Sequence, residues 1–306
     1  MRIAFLGTPE FALPSLSALI RRGDELCVFT QPDRPVGRKA ILTPPPVKAL
    51  AVEHGIPVMQ FEKIRSKAGC EAMEAFAPDL CVTAAFGQIL SARNLSIPKH
   101  CTVNVHGSLL PKYRGASPIQ SAIINGETVT GVTTMLTDIG MDTGDILLKR
   151  ETPIDPDETY AQLSDRLAEL GASLLTETLD RMLDGTLVPT PQNDADATVC
   201  HMLTRQDGRI DFTRSAKAVH DLVRGTDPWP TAFAALNGEP VKIWQTRRTE
   251  YDANGLPGTL SVQKGRLFVN CGDRLLEILS LQMSGKKRMD ADVFLRGCSV
   301  DGARLC

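Results

Sequence analysis

The sequence predicts an α/β protein in two parts, an open parallel sheet wrapped by helices and then a small barrel of short strands. Three stretches carry that expectation. Residues 2–6, Arg-Ile-Ala-Phe-Leu, are a short apolar run without alternation, which suits a parallel strand buried on both faces. Residues 101–107, Cys-Thr-Val-Asn-Val-His-Gly, read as another strand, broken by Gly107. From residue 231 onward the pattern becomes short strand-like runs punctuated by Gly255, Gly265 and Gly272, as in small antiparallel barrels.

The first strand runs into Gly7-Thr8-Pro9-Glu10, where Thr8 suits a helix N-cap and Pro9 the first helical position. Leu13, Leu16, Leu19 and Ile20 form that helix's apolar stripe, Gly23 ends it, and residues 25–30 return as a strand. This is a β-α-β opening, so the first domain is Rossmann-like. Its Gly-x-Gly-x-x-Gly fingerprint is missing, and Pro9 has no N–H for a pyrophosphate, which disfavours an NAD enzyme. Residues 30–48 hold five prolines and the cations Arg34, Arg38, Lys39 and Lys48 against one acid, Asp33. They are expected as a long basic loop, either mobile or in contact with a partner. A helix over 47–54 and a strand over 57–60 follow, then a helix through 71–76 and a strand over 79–85. Phe86, Gly87, Gln88, Ile89 and Leu90 come at that strand's carboxyl end beside the Asn104 strand, either as an apolar wall for a flat ligand or, the commoner role for such a stretch, packed under a loop.

A helix is expected over 117–126, then two antiparallel strands, 129–136 and 146–150, around a turn holding Asp138, Asp142 and Asp145. Residues 159–184 read as a long amphipathic helix ended by Gly185. The polar, proline-containing stretch 188–203 reads as a linker. The expected domains are therefore 1–187, a linker 188–203, and a small OB-like barrel over 204–306.

Of the 306 residues 42% are hydrophobic and 23% charged, as in ordinary globular proteins, and the net charge is −2. Residues 204–306 nevertheless hold 16 Lys and Arg against 12 Asp and Glu, a mild pointer to a polyanionic partner. Eight scattered cysteines without Cys-x-x-Cys argue against a disulfide framework or a zinc site, and for reducing, cytoplasmic surroundings. No targeting segment is expected, and no apolar run approaches the roughly 18 residues of a membrane helix.

Alternation on a strand puts Asn104 and His106 on one face and Val103 and Val105 on the other. The amide and the imidazole thus share the carboxyl edge of the sheet, where open α/β folds bind ligands. An Asn N–H can hold a developing oxyanion and a His can move a proton near neutral pH. The plain structural alternative is an Asn capping a turn beside a packed His. A carboxylate from the acidic turn would support the imidazole, and spacing does not choose among Asp138, Asp142 and Asp145. No Ser or Cys nucleophile is clearly placed, so direct acyl transfer is expected over a covalent intermediate.

Asn104-Val-His106-Gly-Ser-Leu-Leu-Pro111, followed by Asp142-Thr-Gly144, resembles the folate-dependent formyltransferases. Phe5-Leu-Gly-Thr-Pro-Glu-Phe11, Thr30-Gln-Pro-Asp-Arg-Pro35 and Tyr113-Arg-Gly-Ala-Ser-Pro-Ile-Gln120 narrow the resemblance to the branch that acts on tRNA, as does the second domain. The resemblance implies 10-formyltetrahydrofolate as cosubstrate and the α-amino group of methionine on charged initiator tRNA as acceptor. It implies Asn104, His106 and Asp142 as catalytic residues, and Ser108, Leu109, Leu110 and Pro111 as a folate-binding segment. Phe86, Gly87, Gln88, Ile89 and Leu90 would line the pterin pocket, and Arg38 with Lys39 would meet the acceptor end of the tRNA. The barrel would grip the tRNA backbone. No metal and no membrane partner are implied, and a monomer is expected. Two other functions compete with this one: formyl transfer to a sugar amine, and RNA binding without catalysis. The second of these would have no need for the catalytic trio.

Overall fold

The computed structural model describes residues 1–37 and 39–306, so the expected contact at Arg38 lies outside the described residues. In chain order the first elements are β1 (Arg2–Gly7), α1 (Leu13–Arg22), β2 (Glu25–Thr30), β3 (Arg34–Val36), β4 (Ile41–Thr43), α2 (Pro46–Glu53) and β5 (Val58–Gln60). Next come α3 (Lys67–Phe76), β6 (Leu80–Ala84), α4 (Ala92–Leu95), β7 (Thr102–His106), β8 (Arg114–Gly115) and α5 (Pro118–Ile124). Then follow β9 (Val129–Leu136), β10 (Ile146–Pro153), α6 (Tyr160–Leu183) and β11 (Val199–Cys200).

The chain folds as two compact units. One comprises residues 1–115, 130–152 and 164–199; the other comprises 116–129, 153–163 and 200–306. The units are therefore discontinuous in sequence, unlike the expected division into 1–187 and 204–306. Two short pieces of the first stretch pack with the C-terminal residues.

The first unit is built on a seven-stranded sheet in the order β10-β9-β7-β6-β1-β2-β5. Strands β5, β2, β1, β6 and β7 are parallel. Strand β9 runs antiparallel to β7. The apolar run of β1 is buried on both faces, as its lack of alternation predicts. Ile3 and Phe5 pack with Leu16, Val28, Val103 and Leu175, whereas Ala4 and Leu6 pack with Phe29, Met73 and Phe86. Helix α6 comes down close on β7 at Gly171, where an added Cβ would lie 2.8 Å from Val105 Cγ1. Sheet order reverses beside β1, since the chain moves outward through β2 and β5 and re-enters at β6. The carboxyl ends of β1, β6 and β7 border that switch point, the usual ligand edge of such sheets.

Several local expectations give way to longer-range bonds. Thr8 does not cap α1; its hydroxyl donates to the Phe86 carbonyl at 2.9 Å. A single 3-10 turn, Glu10–Ala12, intervenes and α1 begins at Leu13. The basic loop after β2 folds as a separate two-stranded hairpin, β3 against β4, with Lys39 in its turn. Its base is tied by Lys48, whose ammonium donates to both Asp33 oxygens at 2.8 Å and to Gln60 Oε1 at 2.9 Å. Those bonds hold the Asp33 carboxyl below the usual carboxylate range. Residues 188–203, expected as a linker, are bonded in instead. Ile146 and Thr190 exchange two backbone bonds of 2.8 Å, and the Arg114 N–H donates to the Thr198 carbonyl at 2.8 Å.

The second unit contains α7 (Ala216–Gly225), β12 (Ala232–Leu236), β13 (Glu239–Asp252), β14 (Leu260–Gln263), β15 (Arg266–Asn270), β16 (Arg274–Met283), β17 (Met289–Asp290) and α8 (Ala291–Gly297). Its strands order as β12-β13-β16-β15-β14, with β17 beside β16. The final residues bridge the two open edges. Ala235 and Cys306 exchange backbone bonds of 2.8 and 2.9 Å, and the Leu305 N–H donates to the Gly258 carbonyl at 2.8 Å. These bridges cover part of both edges of the antiparallel sheet, whose core holds Ile243, Leu267, Leu276 and Ile278. No helix among the described residues is long and apolar enough to cross a membrane.

Candidate active site

Strand β7 holds Asn104 and His106 on the same face, about 6.6 Å apart along the strand at its usual rise. Val103 and Val105 on the other face sit in the core under α6. The neighbouring parallel strand places Thr83 opposite Asn104. The Thr83 hydroxyl, buried in β6, donates to Asn104 Oδ1 at 2.7 Å. With its oxygen so used, the Asn104 amide presents its N–H groups, the right polarity for a developing negative oxygen. Thr83→Val is expected to lower kcat about tenfold while leaving KM nearly unchanged, because a freed amide loses its aim. Steady-state kinetics check this, and an unaltered kcat would count against the role.

His106 is 5% exposed. Its Nε2 lies 2.9 Å from the Tyr113 carbonyl, which can only accept, so Nε2 carries a hydrogen. Nδ1, the nitrogen that gains the second proton when the ring is imidazolium, lies 3.7 Å from Asp142 Oδ2. That gap is longer than a hydrogen bond. Tyr113 itself adopts φ +60°, and its N–H donates to Thr198 Oγ1 at 2.8 Å, so the carbonyl that orients His106 is itself anchored.

The structure chooses among the three turn carboxylates. Asp142 Oδ2 accepts the Gly115 N–H at 2.8 Å and faces His106. Asp138 instead accepts from Thr143 Oγ1 at 2.8 Å and from the Gly140 N–H at 3.0 Å, organising the turn from within. The Asp145 carbonyl takes the Leu136 N–H at 2.9 Å and closes the turn's mouth. The turn is steep: Leu136 pairs opposite Val103, near the start of β7, yet Asp142 reaches His106 at its end. The chain folds back over the sheet face to do so. Gly144 permits this, since a Cβ there would stand 1.9 Å from the Leu136 carbonyl oxygen.

The expected folate segment is largely internal. Ser108 is fully buried, and its hydroxyl donates to the Lys112 carbonyl at 2.6 Å. Leu110 is fully buried and packs with Met135 and Ile146. Leu109 lies against Gly131 and is half-buried, as is Pro111. Of the two readings of residues 86–90, most of the stretch follows packing under a loop. Phe86 belongs to the core beneath α3, and Gln88 is consumed by the Ile64 N–H at 2.6 Å and the Phe61 carbonyl at 2.7 Å. Leu90 packs partly buried on the same core, and Gly87 is exposed at φ +75°. Ile89, 73% exposed, is the one large apolar side chain of that stretch left open. These segments pack inward because each follows a strand end with buried neighbours to satisfy.

Cysteine chemistry is not favoured here. Burial pushes the Cys27 and Cys101 thiols up to about 11 and the Cys81 thiol up to about 12, away from the reactive thiolate. Among the described residues no group of three or more His, Cys, Asp or Glu is arranged to hold a metal ion. Sequence reading missed Thr83, the Tyr113 carbonyl, the Gly115 N–H and Gln192, which meets the Asp142 turn. Thr83 sits in an apolar run, and only the pairing register brings it to Asn104.

Known proteins resemble this chain over nearly its whole length. The formyl transferase family model matches residues 1–179, and the formyl transferase C-terminal domain model matches residues 202–299. The methionyl-tRNA formyltransferase of Pelobacter propionicus is 52% identical over 97% of this chain and 93% of its own. That of Citrifermentans bemidjiense is 50% identical over 100% of this chain and 96% of its own. A solved structure of WlaRD, a sugar 3N-formyl transferase in the presence of dTDP and 5-N-formyl-THF, superposes with a TM-score of 0.70 at 18% identity. It covers 94% of this chain and 99% of that one, a likeness of fold.

Proposed function

This chain is an enzyme of the formyl transferase family, and from that premise we propose that it moves the formyl group of 10-formyltetrahydrofolate to the α-amino group of methionine on initiator tRNA. The acceptor follows from the names of relatives about half identical over nearly the whole chain, and the folate donor from the formyl-folate present with the sugar-modifying neighbour. The observation that carries the chemistry is the pairing of Asn104, whose amide oxygen is already engaged by Thr83, with His106 and Asp142.

The neutral amine attacks the formyl carbon, and the carbonyl oxygen becomes an oxyanion. An Asn104 N–H points to that oxygen, an interaction of about 2.7–4 kcal/mol where such donors have been removed in other enzymes. His106 takes part as imidazolium: Nε2–H stays on the Tyr113 carbonyl and Nδ1–H adds a second donor to the oxyanion. Asp142 lies beside Nδ1 and accepts the proton that the attacking amine gives up. Collapse of the tetrahedral carbon breaks its bond to N10 of the folate. N10 leaves with the proton that Asp142 took from the amine, so the carboxylate is restored and the products are the formamide and tetrahydrofolate. The transfer is direct, with the amine as nucleophile.

The fit to a flat donor rests on surfaces beside the trio rather than on the buried side chains of Ser108, Leu110 and Phe86. Ile89 is open to a ligand, and so are Ile139 and Met141 on the Asp142 turn, at 82% and 63% exposure. The assay that tests this reading offers the purified protein 10-formyltetrahydrofolate with methionine-charged initiator tRNA, methionine-charged elongator tRNA, or an amino sugar nucleotide. Formylmethionine on the initiator alone is the expected product. A formylated sugar, or no transfer to either tRNA, overturns it.

A further inference from the structure

Gln192 lies in the stretch whose composition reads as a linker, and its amide makes three bonds at the candidate site. Nε2 donates to the Asp142 carbonyl at 2.8 Å and to the Gly144 carbonyl at 2.7 Å. Oε1 accepts from Arg114 Nε at 3.0 Å. Both hydrogens of one amide therefore go to the carbonyls of the Asp142-Thr-Gly144 turn. Arg114 is 7% exposed, and its other arm reaches Asp194 at 2.8 Å.

Elementary donor and acceptor counting sets the direction of this relay. A guanidinium only donates, so the Gln192 atom facing Arg114 is the oxygen. The NH2 end must then face the turn, where both carbonyls only accept. Asp142 needs such support. It adopts φ +54°, which is uncommon for a residue with a Cβ, on a turn whose neighbours Ile139 and Met141 point into solvent. Its carboxylate must also stay within reach of His106 Nδ1, at 3.7 Å, and a shift of about 1 Å at such a centre can cost a hundredfold in rate.

We infer that Gln192 is a positioning residue that holds the Asp142 carboxylate toward His106, and that Arg114 fixes which way its amide faces. The inference rests on the formyl-transfer reading above. Its test uses two variants of nearly unchanged size. Gln192→Met removes both donors. Gln192→Glu keeps the shape and sets an oxygen against two carbonyl oxygens.

Each variant, in the full-length protein, should lower kcat by about ten- to a hundredfold with the donor KM within about twofold. Each should cost less than about twofold when added to Asp142→Asn, because a residue that acts through Asp142 has nothing left to position. A residue that only fills space would tolerate Glu, or would cost the same in both backgrounds. Wild-type kcat retained in both variants, or an equal loss in the Asp142→Asn background, overturns the inference. So does loss of the folded state in both variants, read by thermal melting, since that marks a structural role. An inactive wild type in the same assay would instead sink the formyl-transfer reading.

Discussion

Alanine in place of His106, Asn104 or Asp142 is expected to lower turnover by at least about a hundredfold in each case, the scale of a lost oxyanion donor or acid–base group. All three are proposed to act on the chemical step, so each loss should appear in kcat with both substrates saturating. Stability should separate them. His106 is buried and its Nε2 donates to the Tyr113 carbonyl, so removing it deletes that bond, worth about 1 kcal/mol, along with the packing of a buried ring. His106→Ala should therefore melt at a lower temperature than wild type, whereas Asn104→Ala should cost less, because the buried Thr83 hydroxyl still has the Val103 carbonyl 3.5 Å away. Asp138→Ala is the control: its bonds stay within the turn, and its loss in turnover should be smaller than that of Asp142→Ala. Any of the trio within about threefold of wild-type kcat would remove that residue from the mechanism.

Charge reversal on the second unit is expected to act on affinity instead. Lys286, Lys287 and Arg288 are exposed between β16 and β17, and Arg288 and Lys242 lie 5.1 and 5.4 Å from the Trp244 ring. Replacing Lys286, Lys287 and Arg288 together by Glu should weaken tRNA binding about a hundredfold at about 0.1 M salt. It should also flatten the salt dependence by about 0.7–0.9 for every phosphate that is no longer neutralised. Donor binding should be unaffected. The measurement is tRNA affinity across a salt series, and matching slopes for variant and wild type would make the three cations ordinary solvated surface. Substitution is a cleaner test than cutting the chain near residue 203. Residues 116–129 and 153–163 cluster with 200–306, so a truncated protein would be deprived of their packing partners.

Several features were legible because they depend on local period. A strand's alternation is enough to put Asn104 and His106 on one face and two valines on the other. The unbroken apolar run of residues 3–6 is enough to mark a strand buried on both faces, and Gly23, at φ +76°, ends its helix as the pattern implies. The antiparallel sheet of the second unit was legible in its runs of short strands. The edge pairs made by Ala235 with Cys306 and by Gly258 with Leu305 were not, because they join residues far apart in the chain.

What the sequence by itself determined is the class of fold and the amide–imidazole pair at a strand end, since both follow from the chain's own geometry over a few residues. Only the tertiary structure decided which carboxylate completes the site. Asp138, Asp142 and Asp145 are equivalent in spacing, and the choice falls to Asp142 because the turn folds back from Leu136 across the sheet face. The groups that hold it there are Gly115, 27 residues away, and Gln192, 50 residues away. Likewise the local reading of Thr8 as a helix cap fails, and Phe86 and Gln88 turn inward, because a hydroxyl, a ring or an amide goes to whatever buried partner the fold brings near. Hydrogen bonds across such separations follow no period in the sequence; they exist only once the sheet has set its register.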